Sequence, residues 1–87
     1  MRKKPRILVV DDEWAMQEAL RDWLREDGYE VGLASSGEEA IVQAKQKNWE
    51  VILLDLKMPG MDGLEALKRL KEVNPEAEIL MMTAYAT

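Results

Sequence analysis

The sequence contains no cysteine and no histidine among its 87 residues. The first absence excludes a disulfide framework and any thiolate metal or redox centre; the second removes the commonest general base and zinc ligand. Chemistry is left to carboxylates, hydroxyls and lysines. Long hydrophobic runs are also missing: segments such as Ile7–Val10 and Val51–Leu54 fall far short of the ~20 residues that span a bilayer, and no signal-peptide core follows the basic start Met1-Arg2-Lys3-Lys4-Pro5-Arg6. The sequence therefore reads as cytoplasmic, with no membrane partner. An excess of positive charge is lacking too. Twelve basic residues against seventeen acidic ones give a net charge of -5, which argues against direct nucleic-acid binding and leaves the basic start as a solvated terminus. What is present, 47% hydrophobic and 33% charged residues with five glycines and three prolines, is the composition of one small packed domain.

The pattern alternates between two periods. Ile7-Leu8-Val9-Val10 is a continuous apolar run ending in Asp11 and Asp12, as in a strand buried on both faces. From Glu13 the spacing turns helical, with Met16, Ala19, Leu20, Trp23 and Leu24 as the apolar stripe and Gly28 as the stop. Tyr29 to Ala34 predicts a second strand. Ser36-Gly37-Glu38-Glu39 is a capping-box sequence opening a helix with Ala40, Ile41 and Ala44 inward. Val51-Ile52-Leu53-Leu54 predicts a third strand, ending in Asp55 and followed by the turn segment Lys57-Met58-Pro59-Gly60-Met61. A third helix follows, capped by Asp62 with Glu65 at the capping-box distance. Leu64, Leu67 and Leu70 form its stripe, and Asn74-Pro75 ends it. Glu78 to Met82 predicts a fourth strand. Strands alternating with helices imply right-handed crossovers and a parallel sheet covered on both faces, an α/β fold with its function at the carboxyl ends of the strands.

Asp11, Asp12, Asp55 and Thr83 all fall at such ends. Aspartate is a good helix N-cap, which offers Asp11 and Asp12 an ordinary role, and Asp55 alone suits a turn. One cap needs one aspartate, however, and two adjacent carboxylates at the end of a buried strand repel each other unless a hard divalent cation relieves them. If the first and third strands are neighbours, three carboxylates converge on one rim. Such a cluster suits Mg²⁺, which keeps several waters and favours few carboxylates plus a phosphate.

The residues Ile7-Leu8-Val9-Val10-Asp11-Asp12-Glu13, then Val51-Ile52-Leu53-Leu54-Asp55-Leu56-Lys57-Met58-Pro59-Gly60-Met61-Asp62-Gly63, then Met82-Thr83-Ala84 resemble the receiver domains of two-component response regulators. The resemblance covers the whole chain, 1–87. It implies a flavodoxin-like, doubly wound parallel sheet with strand order 2-1-3-4 and three helices. It also implies a signalling phosphoacceptor, with latent Mg²⁺-dependent autophosphorylation and dephosphorylation chemistry, rather than an enzyme acting on a separate substrate. Asp55 would attack the phosphorus of a phosphohistidine on a sensor histidine kinase. Asp11, Asp12, Asp55 and the backbone carbonyl of Lys57 would hold Mg²⁺. Thr83 would donate its hydroxyl to a phosphoryl oxygen, and Ala84, Met58 and Pro59 would shape the pocket. Trp14 would lie near its mouth.

Receiver domains continue through a further helix, a fifth strand ending in a lysine and a last helix, so the sequence reads as the leading portion of one. The lysine's absence implies impaired phosphoryl transfer, and an uncovered fourth strand implies homo-oligomerisation. Two other readings compete. A receiver-like assembly module without phosphotransfer suits the absent lysine but not the intact acidic residues. A dehalogenase-like phosphohydrolase requires Asp-x-Asp, where this sequence has Asp55-Leu56-Lys57.

Overall fold

The computed structural model describes residues 4–55 and 62–82. Four five-residue strands, β1 (Arg6–Val10), β2 (Glu30–Ala34), β3 (Val51–Asp55) and β4 (Glu78–Met82), alternate with α1 (Trp14–Glu26), α2 (Gly37–Gln46) and α3 (Gly63–Val73). All neighbouring strands pair parallel, in the order β2-β1-β3-β4. This is the expected doubly wound arrangement. β1, one of the two interior strands, is the most deeply buried: Leu8, Val9 and Val10 are fully buried because β1 has a neighbour on each edge and helices over its faces.

The register sorts the side chains. Leu8 lies opposite Gly32 and Ile52, and Val10 opposite Ala34 and Leu54; all of these but Gly32 form one core with Ala40, Ala44, Ala66 and Leu70 from α2 and α3. Small residues dominate the inward lines of both helices, Gly37-Ala40-Ala44 and Gly63-Ala66-Leu70, so the two helix backbones settle close to the sheet. Trp49, which precedes β3 and is also buried, completes this layer.

Helix ends follow local chemistry. Ser36 Oγ accepts from the Glu39 amide at 3.1 Å and Glu39 Oε1 accepts from the Ser35 amide, a capping box displaced by one residue on its return arm. Asp62 caps α3 by accepting from the Leu64 amide at 3.3 Å. Glu65 does not complete a box there; it pairs with Arg69 one turn on, at 2.9 Å. Gly28, at φ 94°, turns the chain from α1 toward β2, a left-handed conformation that favours glycine.

Two expected helix stripes hold in part: Leu67 and Leu70 of α3 and Leu20 and Leu24 of α1 face inward, and the other expected residues do not. In α3, Leu64 is exposed, and Ala66 takes the buried place between Gly63 and Leu70. In α1, Met16, Ala19 and Trp23 are exposed and Leu20 and Leu24 only half-buried, while the single buried residue of the helix is Gln17. The inward line of α1 thus runs through positions 17, 20 and 24, about 100° around the helix from the line through Met16 and Trp23.

Candidate functional site

Because Val10 and Leu54 are register partners, the next residues along these parallel strands, Asp11 and Asp55, emerge side by side at the carboxyl rim of the sheet. Asp12 follows on the loop into α1. Carboxylate oxygens of Asp11, Asp12 and Asp55 all lie within 4.8 Å of one another. Asp11 and Asp55 are buried, and Asp12 is exposed.

Neither aspartate of the pair caps α1. The cap position belongs to Glu13, whose side chain makes no capping bond. Asp11 Oδ1 instead accepts from the Glu13 amide at 2.9 Å, a local turn that holds the carboxylate at the rim. The Asp11 amide donates to the Ala34 carbonyl at 3.0 Å, extending the β1–β2 ladder one residue beyond the strands. Burial pushes the Asp11 carboxyl above its ordinary range; the Glu13 amide opposes the rise, and the charges of Asp55, Asp12 and Glu13 add to it. Three oxygen donors with one solvent-facing member and mutual repulsion fit a hard divalent cation, which Asp11 and Asp55 would hold from the ends of adjacent strands and Asp12 from the loop.

The repulsion has a measurable consequence in the metal-free chain. Asp11→Asn keeps an oxygen that can accept from the Glu13 amide while removing one of three neighbouring charges, so thermal unfolding without divalent cations should shift upward, by roughly 4–8 °C if about 1 kcal/mol is recovered. The sign follows from the raised folded-state value. The penalty is present at neutral pH and disappears as pH falls through the raised Asp11 range, so the gain should shrink in acid. A lower melting temperature for Asp11→Asn at neutral pH would contradict this account.

Trp14, the first residue of α1, is exposed two residues beyond Asp12. Lys57, Met58, Pro59, Thr83 and Ala84 lie outside the described residues. Gln17 escaped the sequence reading altogether. Its amide donates to the Asp11 carbonyl, to Ser35 Oγ at 3.1 Å and, at 3.5 Å, to the Ala34 carbonyl. A polar residue inside an otherwise apolar helix phase was the available signal.

Comparison with known proteins gives a consistent picture. A family model described as the response regulator receiver domain matches residues 7–87. The transcriptional regulatory protein ZraR of Salmonella typhimurium is 42% identical over 87 residues, an alignment covering 100% of this chain and 20% of ZraR. The chain thus spans about a fifth of that curated relative's length. A response regulator from Burkholderia pseudomallei, solved with a phosphorylated aspartic acid, a calcium ion and citrate, superposes with TM-score 0.90 at 32% identity, covering 97% of this chain and 49% of that one. Response regulator TrrA of Thermotoga maritima, solved with Mg(2+)-BeF, superposes with TM-score 0.86 at 41% identity over 94% of this chain and 71% of TrrA; TrrA has also been solved in complex with the histidine kinase ThkA.

Proposed function

The chain belongs to the response regulator receiver domain family, and on that premise we propose that it is the phosphoacceptor module of a two-component system, receiving a phosphoryl group from a sensor histidine kinase onto Asp55. The observation that carries the proposal is the convergence of Asp11, Asp12 and Asp55 at one strand rim. The phosphorylated aspartate of the Burkholderia relative, the Mg(2+)-BeF bound to TrrA and the ThkA–TrrA complex support it. Such a kinase partner places the chain in the cytoplasm.

In this reading a carboxylate oxygen of Asp55 attacks the phosphorus as the bond to the histidine nitrogen breaks, leaving an acyl phosphate on Asp55 and the imidazole on the kinase. β3 fixes Asp55 beside Asp11, so the nucleophile is held by the sheet rather than by a loop. Asp11 and Asp12, with Asp55 and the Lys57 carbonyl, would hold the cation. Bound magnesium supplies positive charge against the phosphoryl oxygens. By the family resemblance, Thr83 would contribute a hydroxyl donor, and Met58, Pro59 and Ala84 would shape access. The test is phosphoryl uptake from acetyl phosphate or phosphoramidate with Mg²⁺, read by intact mass. Uptake should be slow, as the absent lysine implies; none at all by the folded, Mg²⁺-bound chain after prolonged incubation would favour the second reading, an assembly module.

That second reading draws on β4. Among the described residues it is an edge strand, and Leu80 and Met81 are exposed along it. Unpaired backbone groups beside apolar side chains, with no lysine on the edge, favour pairing with a second copy. We therefore propose homo-oligomerisation through β4 and the adjoining sheet face. Sedimentation velocity across a concentration series should show dimer or larger species. Leu80→Lys should raise the dissociation constant by about tenfold or more, since burying a leucine contributes roughly 1.5–3 kcal/mol. A monomer at every concentration would end the idea.

A further inference from the structure

α1 buries one side chain fully, and that side chain is polar. Gln17 is 2% exposed, and its amide nitrogen reaches the Asp11 carbonyl, Ser35 Oγ and the Ala34 carbonyl. These acceptors belong to the two chain segments leaving β1 and β2. Each polar group of Asp11 therefore has a partner: its amide is held by the Ala34 carbonyl, its carbonyl by Gln17, and its carboxylate by the Glu13 amide against the repulsion of nearby Asp55. The carbonyl of Asp11 also sets the peptide plane from which Asp12 departs, so the Gln17 contact fixes the relative direction of two of the three carboxylates.

A glutamine suits this place chemically. The acceptors are carbonyl and hydroxyl oxygens, which call for a donor, and a neutral donor does not offset the charge of the acidic rim. A hydrocarbon of the same length would leave the Asp11 carbonyl and the Ser35 hydroxyl to find other partners, and a carboxylate would face oxygen with oxygen.

We propose that Gln17 is a positioning residue for the acidic rim: by clamping the Asp11 carbonyl to the end of β2, it pre-sets the Asp11–Asp12 geometry on which divalent-cation affinity depends. The inference rests on the assignment of Asp11, Asp12 and Asp55 as the cation site, and it adds a residue outside the set of direct ligands. Outer-shell partners of metal ligands characteristically change affinity by about 10–100-fold when removed.

The test is a titration of the metal-free chain with MgCl₂ alone, following tryptophan fluorescence with Trp14 as the nearby reporter, under conditions where circular dichroism shows each variant folded. Gln17→Met, close in length and lacking the donors, should weaken Mg²⁺ binding by about tenfold or more. Leu70→Ala, which loosens the core at α3 far from the rim, should lower the melting temperature yet leave the affinity within about twofold, separating positioning from general destabilisation. Gln17→Asn keeps an amide but shortens its reach, and carries the same expectation if Gln17→Met fails to fold. Unchanged affinity in a folded Gln17 variant, or an equal loss in Leu70→Ala, would overturn the positioning role alone. The absence of any Mg²⁺ response in the unsubstituted chain, or a response that survives Asp12→Ala, would overturn the site assignment beneath it.

Discussion

Asp55→Asn is expected to abolish phosphoryl uptake: after prolonged incubation with acetyl phosphate or phosphoramidate and Mg²⁺, a slowly growing fraction of the unsubstituted chain gains the mass of one phosphoryl group and none of the variant does. The amide cannot replace the carboxylate as a nucleophile because its oxygen carries less charge and its nitrogen lone pair is delocalised into the carbonyl. Loss of chemistry is told from loss of folding by a second measurement. Asp55 is buried beside Asp11 and Asp12, and removing its charge relieves a repulsion that adds to the effect of burial on Asp11; the melting temperature of the metal-free variant, measured beside the parent's, shows whether the fold is kept. A retained mass gain in Asp55→Asn would move the acceptor to another carboxylate, with Asp11 and Asp12 the first to examine. The pair of measurements, mass and melting temperature, separates lost chemistry from lost structure.

The largest stability effect is expected at the opposite end of the sheet. Trp49 is 5% exposed, its indole Nε1 donates to the Gln43 carbonyl at 3.1 Å, and Lys47 Nζ lies 5.9 Å from the ring centroid. The ring occupies the space above Gly32, where an added Cβ would meet Trp49 Cη2 at 2.5 Å. Trp49→Ala should cost about 3–5 kcal/mol, a large part of the ~5–15 kcal/mol available to an ordinary domain, and lower the melting temperature by roughly 15 °C or more. Gly32→Ala should cost about 1–3 kcal/mol through overpacking. Because the clash needs both partners, the double variant should be less destabilised than the sum of the two. Strict additivity in urea unfolding would show that the ring has room to move away from a methyl group at Gly32.

The fold was legible where one residue class filled an element. Ile7–Val10 and Val51–Leu54 are apolar throughout, so no choice of face was needed, and their terminal aspartates located the rim. Strand order came through the family resemblance and agrees with the observed pairing. Helix phase was legible in α2, where Ala40, Ile41 and Ala44 do face the core, and less so in α1 and α3, whose large apolar residues are spread over more than one face. In α3 the sheet and α2 select Gly63 and Ala66, whose small size allows close approach, and Leu64 turns outward. In α1 the demand for a donor at the Asp11 carbonyl places Gln17 inward and leaves Met16 and Trp23 at the periphery. Trp49 was missed for a related reason: it stands outside any periodic segment, and only the register that sets Gly32 opposite Leu8 reveals the vacancy it fills. The proximity of Asp11 to Asp55 was anticipated conditionally, since it requires β1 and β3 to be neighbours.

That adjacency also orders events in time. β1 and β2 are joined by α1 alone, so their pairing can begin once residue 34 has left the ribosome, at which stage the rim holds only Asp11 and Asp12. Asp55 arrives with the later docking of β3 against β1, across a loop that already encloses α1, β2 and α2. The part of the electrostatic cost that Asp55 adds to the rim therefore falls on the second docking step. Cations that neutralise the three carboxylates should accelerate that step selectively, making the speed of maturation, and not only the finished domain, sensitive to the ionic composition in which the chain is synthesised.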